Sequence, residues 1–252
     1  MSSTGVLAGD FGGMRTCDSH EVSQLNELKI DTNALVFTTH YFLQGDIIMS
    51  EQMPIFGGWA GGIEETTIVD VATSLAAFLM VSADWHLDGP IHVRWGNTTA
   101  REVLMVAGYC CRALDHNTHL ILGNQYYTSA GPCTEMCLLE TAAQAFTDSA
   151  SGREIVSGCA ATKGVAMDFT TPIESRMMAY AIRAVAGEEL EKTNRALDKL
   201  VALYEKNFKT APKKHTFKTC YDPVSLLPTD EHLAVLDQAM KTMEGCGFKF
   251  KL

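Results

Sequence analysis

The stretch GDIIMSEQMPIFGGWAGGIEETTIVD, residues 45–70, contains the parts of a β/α unit. A short apolar run ends at the carboxylate of Glu51, a proline and two Gly-Gly pairs follow, and a helical pattern begins near Thr67. A strand, a loop and a helix in this order are typical of parallel sheets, where functional side chains follow the strand ends. The stretch therefore predicts an α/β fold and makes Glu51 the first candidate site residue.

The same alternation of short β-branched runs and longer amphipathic segments continues along the chain. Strands are predicted at 34–42, 46–52, 91–95, 119–127 and 154–160. Helices are predicted at 19–28, 67–80, 99–114, 133–150 and 172–208. Capping sequences support two of these helix starts, SHEV at Ser19 and TPIE at Thr171. Residues 1–210 are thus interpreted as one β/α domain, and 211–252 as an irregular connector followed by a closing helix.

The repeat suggests a (β/α) barrel, but the pattern supplies only about five of the eight strands that such a barrel needs. An incomplete barrel leaves sheet edges with unpaired backbone groups and uncovers the side chains that fill the interior. Either further strands are hidden in the sequence, or the chain is part of something longer.

The amino-acid composition indicates which classes of partner and which cellular compartment to expect. A formal charge of −10 disfavours nucleic acid, because phosphate backbones are held mainly by clustered Lys and Arg. No tract is long and apolar enough to cross a bilayer, so no membrane association is expected. The eight cysteines include the neighbours Cys110 and Cys111, which cannot easily cross-link. Reduced thiols in a cytoplasmic protein are the better interpretation.

Polar residues at the predicted strand ends are the candidate site residues, because barrel chemistry lies at the carboxyl ends of the strands. Gln125 and Tyr127 are two positions apart, so on a strand they point to the same side, where a carboxylate such as Glu51 can face them. The ordinary alternative is that polar strand ends simply meet water. The full set at strand ends is His40, Tyr41, Glu51, Arg94, Trp95 and Gly123–Tyr127.

Three other patterns are weaker. Cys133 and Cys137, four apart, would lie on one face of a helix and could supply two metal ligands, but no second pair completes a site and buried thiols are common. His86 and His92 fit no ligand pattern. No metal site is therefore predicted. The glycine-rich loop disfavours a phosphate, because acidic residues follow it in the first helical turn; a mobile or close-packed loop beside Glu51 is expected.

Several long runs resemble one family. The C-terminal portion of the monomethylamine:corrinoid methyltransferases of methanogenic archaea is similar to this chain from about Gly13 to its end. The runs that carry the resemblance are CDSHEVSQLNELKID (17–31), DIIMSEQMPIFGGWAGGIEETTIVDVAT (46–73), WHLDGPIHVRWG (85–96), GNQYYTSAGPCTEMCLLE (123–140) and SGREIVSG (151–158).

The resemblance implies the C-terminal portion of a (β/α)8 TIM barrel with a C-terminal helical extension, in a homo-oligomer. Family members contain pyrrolysine, encoded by an in-frame amber codon, which the resemblance puts a few positions upstream of Met1 and so outside this chain. The corrinoid is carried by a partner protein, and no cofactor is expected to bind the chain directly. The reading frame is accordingly interpreted as a fragment begun at an internal methionine, inactive alone.

The implied activity is methyl transfer from monomethylamine to the Co(I) corrinoid of a cognate corrinoid protein, in methylamine-dependent methanogenesis. The resemblance puts Glu51, Gln125 and Tyr127 around the pyrrolysine ring as catalytic residues. Two other classes stay open. A Schiff-base lyase or aldolase barrel is disfavoured, because Lys163 is the only lysine between Lys29 and Lys192. A noncatalytic barrel subunit or scaffold that contributes oligomer contacts differs only in what lies upstream.

Overall fold

The computed structural model describes residues 5, 8–9, 11–23, 32–213 and 215–250. Five of its strands form one parallel sheet, and two very short strands form a second sheet. In chain order the strands are β1 (Ser19–Ser23), β2 (Ile47–Glu51), β3 (Ile55–Phe56), β4 (Trp85–Asp88), β5 (Ile91–His92), β6 (Leu122–Tyr127) and β7 (Ile155–Ala160). The main sheet has the order β1-β2-β4-β6-β7, and β3 pairs with β5.

Helices follow the strands of the main sheet, as parallel pairing requires. They are α1 (Thr32–Gln44), α2 (Ile63–Met80), α3 (Arg101–Asn117), α4 (Glu135–Ser151), α5 (Pro172–Val185), α6 (Leu190–Tyr204), α7 (Phe217–Cys220) and α8 (Asp230–Cys246). Short 3₁₀ turns occupy Ala161–Gly164 and Glu205–Thr210. None of the helices within the described residues is both long and apolar enough to span a bilayer.

This arrangement confirms the predicted α/β fold: an open parallel half-barrel with a C-terminal helical extension. The extension packs onto the barrel, since Phe248, just after α8, stacks on Phe146 of α4 with ring centroids 3.7 Å apart. The main apolar core lies where β6 and β7 meet α4, α5, α6 and α8. Helix α5 begins at TPIE as predicted, but Thr171 donates from its backbone N–H and its hydroxyl to Glu174 instead of accepting a helix N–H.

Two predicted elements have the wrong type. The run at 34–42 is not a strand but part of α1, because packing against β1 and β2 overrides the β propensity of its branched and aromatic residues. The segment from Ser19 begins with strand β1 rather than a helix, and its residues 24–28 lie outside the described residues. The hydroxyl of Ser19 caps no helix; it accepts from the indole Nε1 of Trp85, 2.9 Å away.

Two further predictions need correction in extent. The barrel strand of the third unit is WHLD, β4, which the sequence analysis missed, whereas only two residues of the predicted strand at 91–95 are extended. The predicted long helix 172–208 is broken between α5 and α6. Gly187 adopts a φ of +77° in this break, a conformation that ends a helix cheaply only in glycine.

The main sheet has two chemically different faces. On β1 and β2 alternate residues are buried against helices, for example His20, which stacks on Tyr41 of α1 at 4.1 Å. On β6 the hydroxyl of Tyr126 reaches Asp148 of α4 at 2.6 Å. The residues between these point to the opposite side, which we call the open face. Its polar members include Glu21, Glu51, Gln125 and Tyr127.

Candidate active site

Two carboxyl groups meet on the open face where β1 and β2 end. The parallel register puts Glu21 opposite Met49 and Ser23 opposite Glu51, so the two acids lie diagonally on one face. Their carboxyl groups are close enough for a hydrogen bond between them to raise the pKa of Glu51, and the Ser23 hydroxyl donates to Glu21 Oε1 at 2.8 Å. A shared hydrogen bond between carboxyl groups requires that one of them carry a proton.

The pKa of Glu51 is raised to about 8, mainly by burial and also by the hydrogen bond with Glu21 and the charge of Glu21. The protonated form of Glu51 therefore persists in neutral solution. A carboxyl group whose pKa lies near the working pH is suited to both take up and release a proton.

Gln125 and Tyr127 are on the same face, as their spacing predicted. The Gln125 amide Nε2 donates to the Tyr127 hydroxyl at 2.7 Å, which leaves the phenol proton for another acceptor. Gln125 Oε1 is buried and has no hydrogen-bond partner among the described residues. The pKa of Tyr127 is raised by burial and then by the charges of Glu51 and Glu21, so the phenol and both acids form one electrostatic group.

The strand that carries this pair is held by side chains from elsewhere in the fold. Thr98 Oγ1 accepts from the backbone N–H of Tyr127 at 2.9 Å, and Gln144 Nε2 donates to the backbone oxygen of Gln125 at 2.8 Å. Thr98 and Gln144 also hydrogen bond to each other. The end of β6 is therefore fixed on its helix-facing side. On the open face Gln125 Oε1 and the Tyr127 phenol proton can still make hydrogen bonds.

The loops around the site are also ordered by polar contacts. The buried Glu140 carboxylate accepts from the backbone N–H groups of Ser129 and Ala130 at 2.8 and 2.9 Å, which fixes the loop after β6. After β7, Gly164 has a φ of +66°, and a Cβ added there would lie 2.6 Å from Tyr127 Cε1. Only glycine lets this backbone pass so close to the Tyr127 ring.

The glycine-rich loop beside Glu51 is held by hydrogen bonds, although several of its residues are exposed. Gly57 and Gly61 both have positive φ, and Gly57 N–H donates to the Gly61 oxygen at 2.9 Å. Glu65, in the first turn of α2, accepts from the Gly62 N–H at 3.0 Å. The acidic residue thus occupies the helix N-terminus where an anion would bind, which agrees with the reasoning against a phosphate.

The other residues at predicted strand ends lie away from this group. His40 and Tyr41 belong to α1, and Tyr41 is buried against His20. Arg94 and Trp95 follow the short strand β5, with the Arg94 guanidinium 4.5 Å from the Trp95 ring centroid. His86 is buried in β4, where burial lowers its pKa to about 3.

The spacing argument for two cysteines on one helix is wrong. Cys133, with a φ of +55°, precedes α4 instead of lying in it, while Cys137 is buried inside the helix beside the Thr128 hydroxyl. No group of possible metal ligands in the described part of the chain contains both sulfurs.

Sequence reasoning missed Glu21, because the helix predicted at 19–28 hid it. The alternation in SHEVS, with Val22 buried between exposed residues, was the available signal for a strand. Glu140, Thr98 and Gln144 gave no sequence signal, since their partners are far away in the chain.

Comparison with known proteins gives this site a context. Residues 1–248 match the family described as Monomethylamine methyltransferase MtmB. The chain belongs to the MtmB family. Monomethylamine methyltransferase MtmB2 of Methanosarcina barkeri is 58% identical over 251 residues, and MtmB1 of Methanosarcina acetivorans is 57% identical over the same length. Each alignment covers 99% of this chain and 55% of the relative, so the chain spans about half the length of these MtmB proteins.

Solved structures of MtmB proteins also match the fold of this chain. The crystal structure of the Methanosarcina barkeri MtmB superimposes with a TM-score of 0.97 at 58% identity, over 99% of this chain and 55% of that one. The crystal structure of a hydroxylamine MtmB complex matches equally well, with a TM-score of 0.97. The family resemblance inferred from the sequence is thereby confirmed, and the open half-barrel corresponds to part of a solved MtmB fold.

Proposed function

We propose that this chain is the C-terminal part of an enzyme that transfers the methyl group of monomethylamine to the Co(I) corrinoid of a separate corrinoid protein. The observation that carries the proposal is the convergence of Glu51, Glu21, Gln125 and Tyr127 on the open face of the sheet. MtmB relatives are named for the same amine, and one was crystallised as a hydroxylamine complex.

The residues of the open face suit a small amine better than an anion or an apolar ligand. Glu21 provides negative charge for a methylammonium ion even while Glu51 is protonated, and the unpartnered Gln125 Oε1 can accept a hydrogen bond from one of its N–H groups. The Tyr127 hydroxyl, which accepts from Gln125, still has a proton to donate. Together they supply donors and acceptors that surround one nitrogen atom.

Each residue has a separate task in this proposal. In its ionised form Glu51 accepts a proton from methylammonium, which frees the nitrogen lone pair, and Glu21 stabilises that proton through the hydrogen bond between the two acids. Gln125 and Tyr127 hold the nitrogen by hydrogen bonds, so that the methyl group points toward the mouth of the barrel. The hydrogen bonds from Thr98 and Gln144 to the backbone of Tyr127 and Gln125 hold these two side chains in place.

None of these side chains is an electrophile that could make the amine nitrogen electron-poor. A pyrrolysine upstream of Met1 would supply an imine carbon that adds the amine, and the open face offers the acids and amide that such chemistry needs. We further propose a cytoplasmic, homo-oligomeric enzyme, with the glycine-rich loop near the docking position of the corrinoid protein.

The test uses the enzyme restored with its preceding half and with pyrrolysine incorporated. Mixed with reduced corrinoid protein and monomethylamine, it should convert Co(I) to methyl-Co(III), followed by absorbance. Methanol and a thiol should give no methylation. Transfer from methanol or the thiol but not from the amine would overturn the proposal, and no transfer from any donor would favour a noncatalytic subunit.

A further inference from the structure

A buried cluster of thiols and an imidazole lies where the C-terminal connector meets the loop between β6 and α4. Cys133 comes from that loop, Cys220 from α7 and His232 from the first turn of α8. One potential ligand atom of each lies within 4.8 Å of the others. The exposed fractions are 3% for Cys133 and 0% for both Cys220 and His232, so the cluster belongs to the protein interior.

Neither ring nitrogen of His232 makes a well-formed hydrogen bond within the described residues, although the residue is fully buried and its ring interacts with the backbone of Cys220. A buried polar group that is so poorly paired destabilises the fold, so a further ligand for this imidazole is expected. The closest carboxylate contact of the ring is long, with Glu174 Oε1 3.9 Å from Nε2. The imidazole therefore points independently to something that binds between it and the two sulfurs.

A second imidazole lies near Cys133, one member of this cluster. Cys133 Sγ also lies within 4.8 Å of potential ligand atoms of His215 and Glu231. His215 Nε2 is buried and unbonded by hydrogen-bond criteria, 3.7 Å from Glu231 Oε1. Cys133 thus stands between two sets that together contain two thiols and two imidazoles.

We propose that Cys133, Cys220, His232 and His215 bind one zinc ion. Two thiolates and two imidazole nitrogens around Zn²⁺ form the tetrahedral ligand set of structural zinc sites. On binding, each thiol loses its proton to solvent, and the two thiolate charges neutralise the ion without any redox change. Binding through Nδ1 of His232 would leave Nε2–H for the Glu174 carboxylate, the outer contact that orients metal-bound histidines.

The position of the ligands assigns the ion a structural task. Cys133 belongs to the loop that follows Gln125 and Tyr127, whereas the other three ligands belong to residues 215–232 of the connector and α8. Hydrogen bonds already join these parts, from Gly131 N–H to the Pro212 oxygen at 2.8 Å. A closed four-ligand site would fasten the C-terminal extension to the loop beside the open face and leave no position for substrate.

The other buried group of possible ligands, Asp70, Asp88 and Cys110, does not lead to the same inference. The buried guanidinium of Arg153 contacts Asp88 at 2.6 Å and so supplies the positive charge in that part of the interior.

The test uses the restored full-length enzyme, purified under reducing conditions from medium with zinc. Elemental analysis should find one zinc per chain, and cobalt exchanged into the site should give thiolate-to-cobalt charge-transfer and tetrahedral d–d absorption. Cys220→Ser and His232→Phe should each reduce zinc to less than a tenth per chain. Cys246→Ser, which changes a buried thiol outside the cluster, should keep the full zinc content.

Two results would overturn the proposal. One is unaltered enzyme without zinc or thiolate-bound cobalt after metal exchange, including a Cys133–Cys220 disulfide found by mass spectrometry. The other is full metal content in folded Cys220→Ser and His232→Phe variants. If these variants do not fold, the cobalt spectrum of the unaltered enzyme decides, because it requires no substitution. Since zinc binding is measured directly, the outcome is independent of the proposed methyl transfer.

Discussion

Among single residues, Glu51 combines the clearest chemical environment with the most direct kinetic consequence. Glu51→Gln keeps the shape of the side chain but removes the base, so the methyl-transfer rate of the restored enzyme should fall about a hundredfold or more. Stopped-flow measurement of corrinoid methylation gives the rate. Glu244→Gln, an exposed acid near the end of α8, is the matched control and should leave the rate unchanged. A near-normal rate for Glu51→Gln would return Glu51 to the polar strand ends that merely meet water.

The raised pKa of Glu51 also makes stability depend on pH. Its ordinary value is 4.5 and its value in the fold is about 8, so ionisation of the folded protein is disfavoured. The stability linked to the protonated form is complete below about pH 4.5 and is lost as the pH rises through about 8. Glu51→Gln should therefore melt at the same temperature as the unaltered enzyme near pH 4.5 and at a higher one near pH 9. A difference in melting temperature between the two proteins that does not change with pH would contradict the raised pKa of Glu51.

Arg153 is the residue whose loss should be most costly to the fold. Its buried guanidinium donates to Asp88 Oδ2 at 2.6 Å and to the backbone oxygens of Gly123 and Ala107 at 3.0 and 3.2 Å. Arg153→Met keeps much of the volume but leaves buried carboxylates without a cation, which costs about 3–5 kcal/mol. Urea denaturation should register this loss.

The control for Arg153 is Arg195→Met. Arg195 pairs with Glu191 at 3.3 Å on the surface of α6, where an ion pair contributes about 1 kcal/mol or less. Equal, small losses for the two arginines would show that the Arg153 network is not needed for stability.

At the scale of elements, the turn after β7 is built against the site. Gly164→Ala introduces a Cβ 2.6 Å from the Tyr127 ring at a φ of +66°, so both the turn and the ring must move. We expect methyl transfer to fall at least tenfold, about 1.4 kcal/mol of transition-state stabilisation. Gly187→Ala is the control: its φ is +77°, but among the described residues no atom beyond its chain neighbours lies within 4 Å of the added Cβ, so stability should fall without loss of rate. Equal methyl-transfer rates for Gly164→Ala and Gly187→Ala would show that the position of the Tyr127 ring does not matter for catalysis.

Helices α1 and α2 end in exposed apolar side chains. Phe42 and Leu43 are 64% and 77% exposed at its end, and Leu79 at the end of α2 is 84% exposed. Helix α1 packs beside β1, an edge strand of the sheet within the described residues. Apolar side chains beside an open strand edge are typical of a surface that another part of the protein covers.

For the whole molecule, this surface supports the proposal that activity needs the preceding half. Residues 1–252 expressed alone should be aggregated or molten and should transfer no methyl group from monomethylamine. Half a barrel lacks the interior layers of side chains that the other strands would supply. The free energy lost with that burial is comparable to the net stability of a whole domain, ~5–15 kcal/mol. Size-exclusion chromatography and calorimetry test the fold, and corrinoid methylation tests the activity. A soluble monomer with a cooperative transition and full activity would show that the chain works alone.

The sequence by itself determined the β/α repeat, three of the five strands of the main sheet and the shared face of Gln125 and Tyr127. These features depend on local periodicity: apolar runs mark strands, and residues two apart on a strand share a face. The long family-like runs likewise carried the family assignment, because they are continuous stretches of the chain. The Glu51 position could be predicted for the same reason, since it directly ends an apolar run.

Only the tertiary structure decided which segments are strands and which distant residues meet. The run at 34–42 became α1, and SHEVS became β1, because neighbouring strands and helices determine what a short apolar or alternating segment buries. Glu21 therefore reaches Glu51 only through strand pairing, and its hydrogen bond and charge add to burial, the main cause of the raised Glu51 pKa. The cluster of Cys133, Cys220 and His232 is likewise assembled by the packing of the C-terminal extension onto the barrel, since no local spacing connects residues so far apart in the chain.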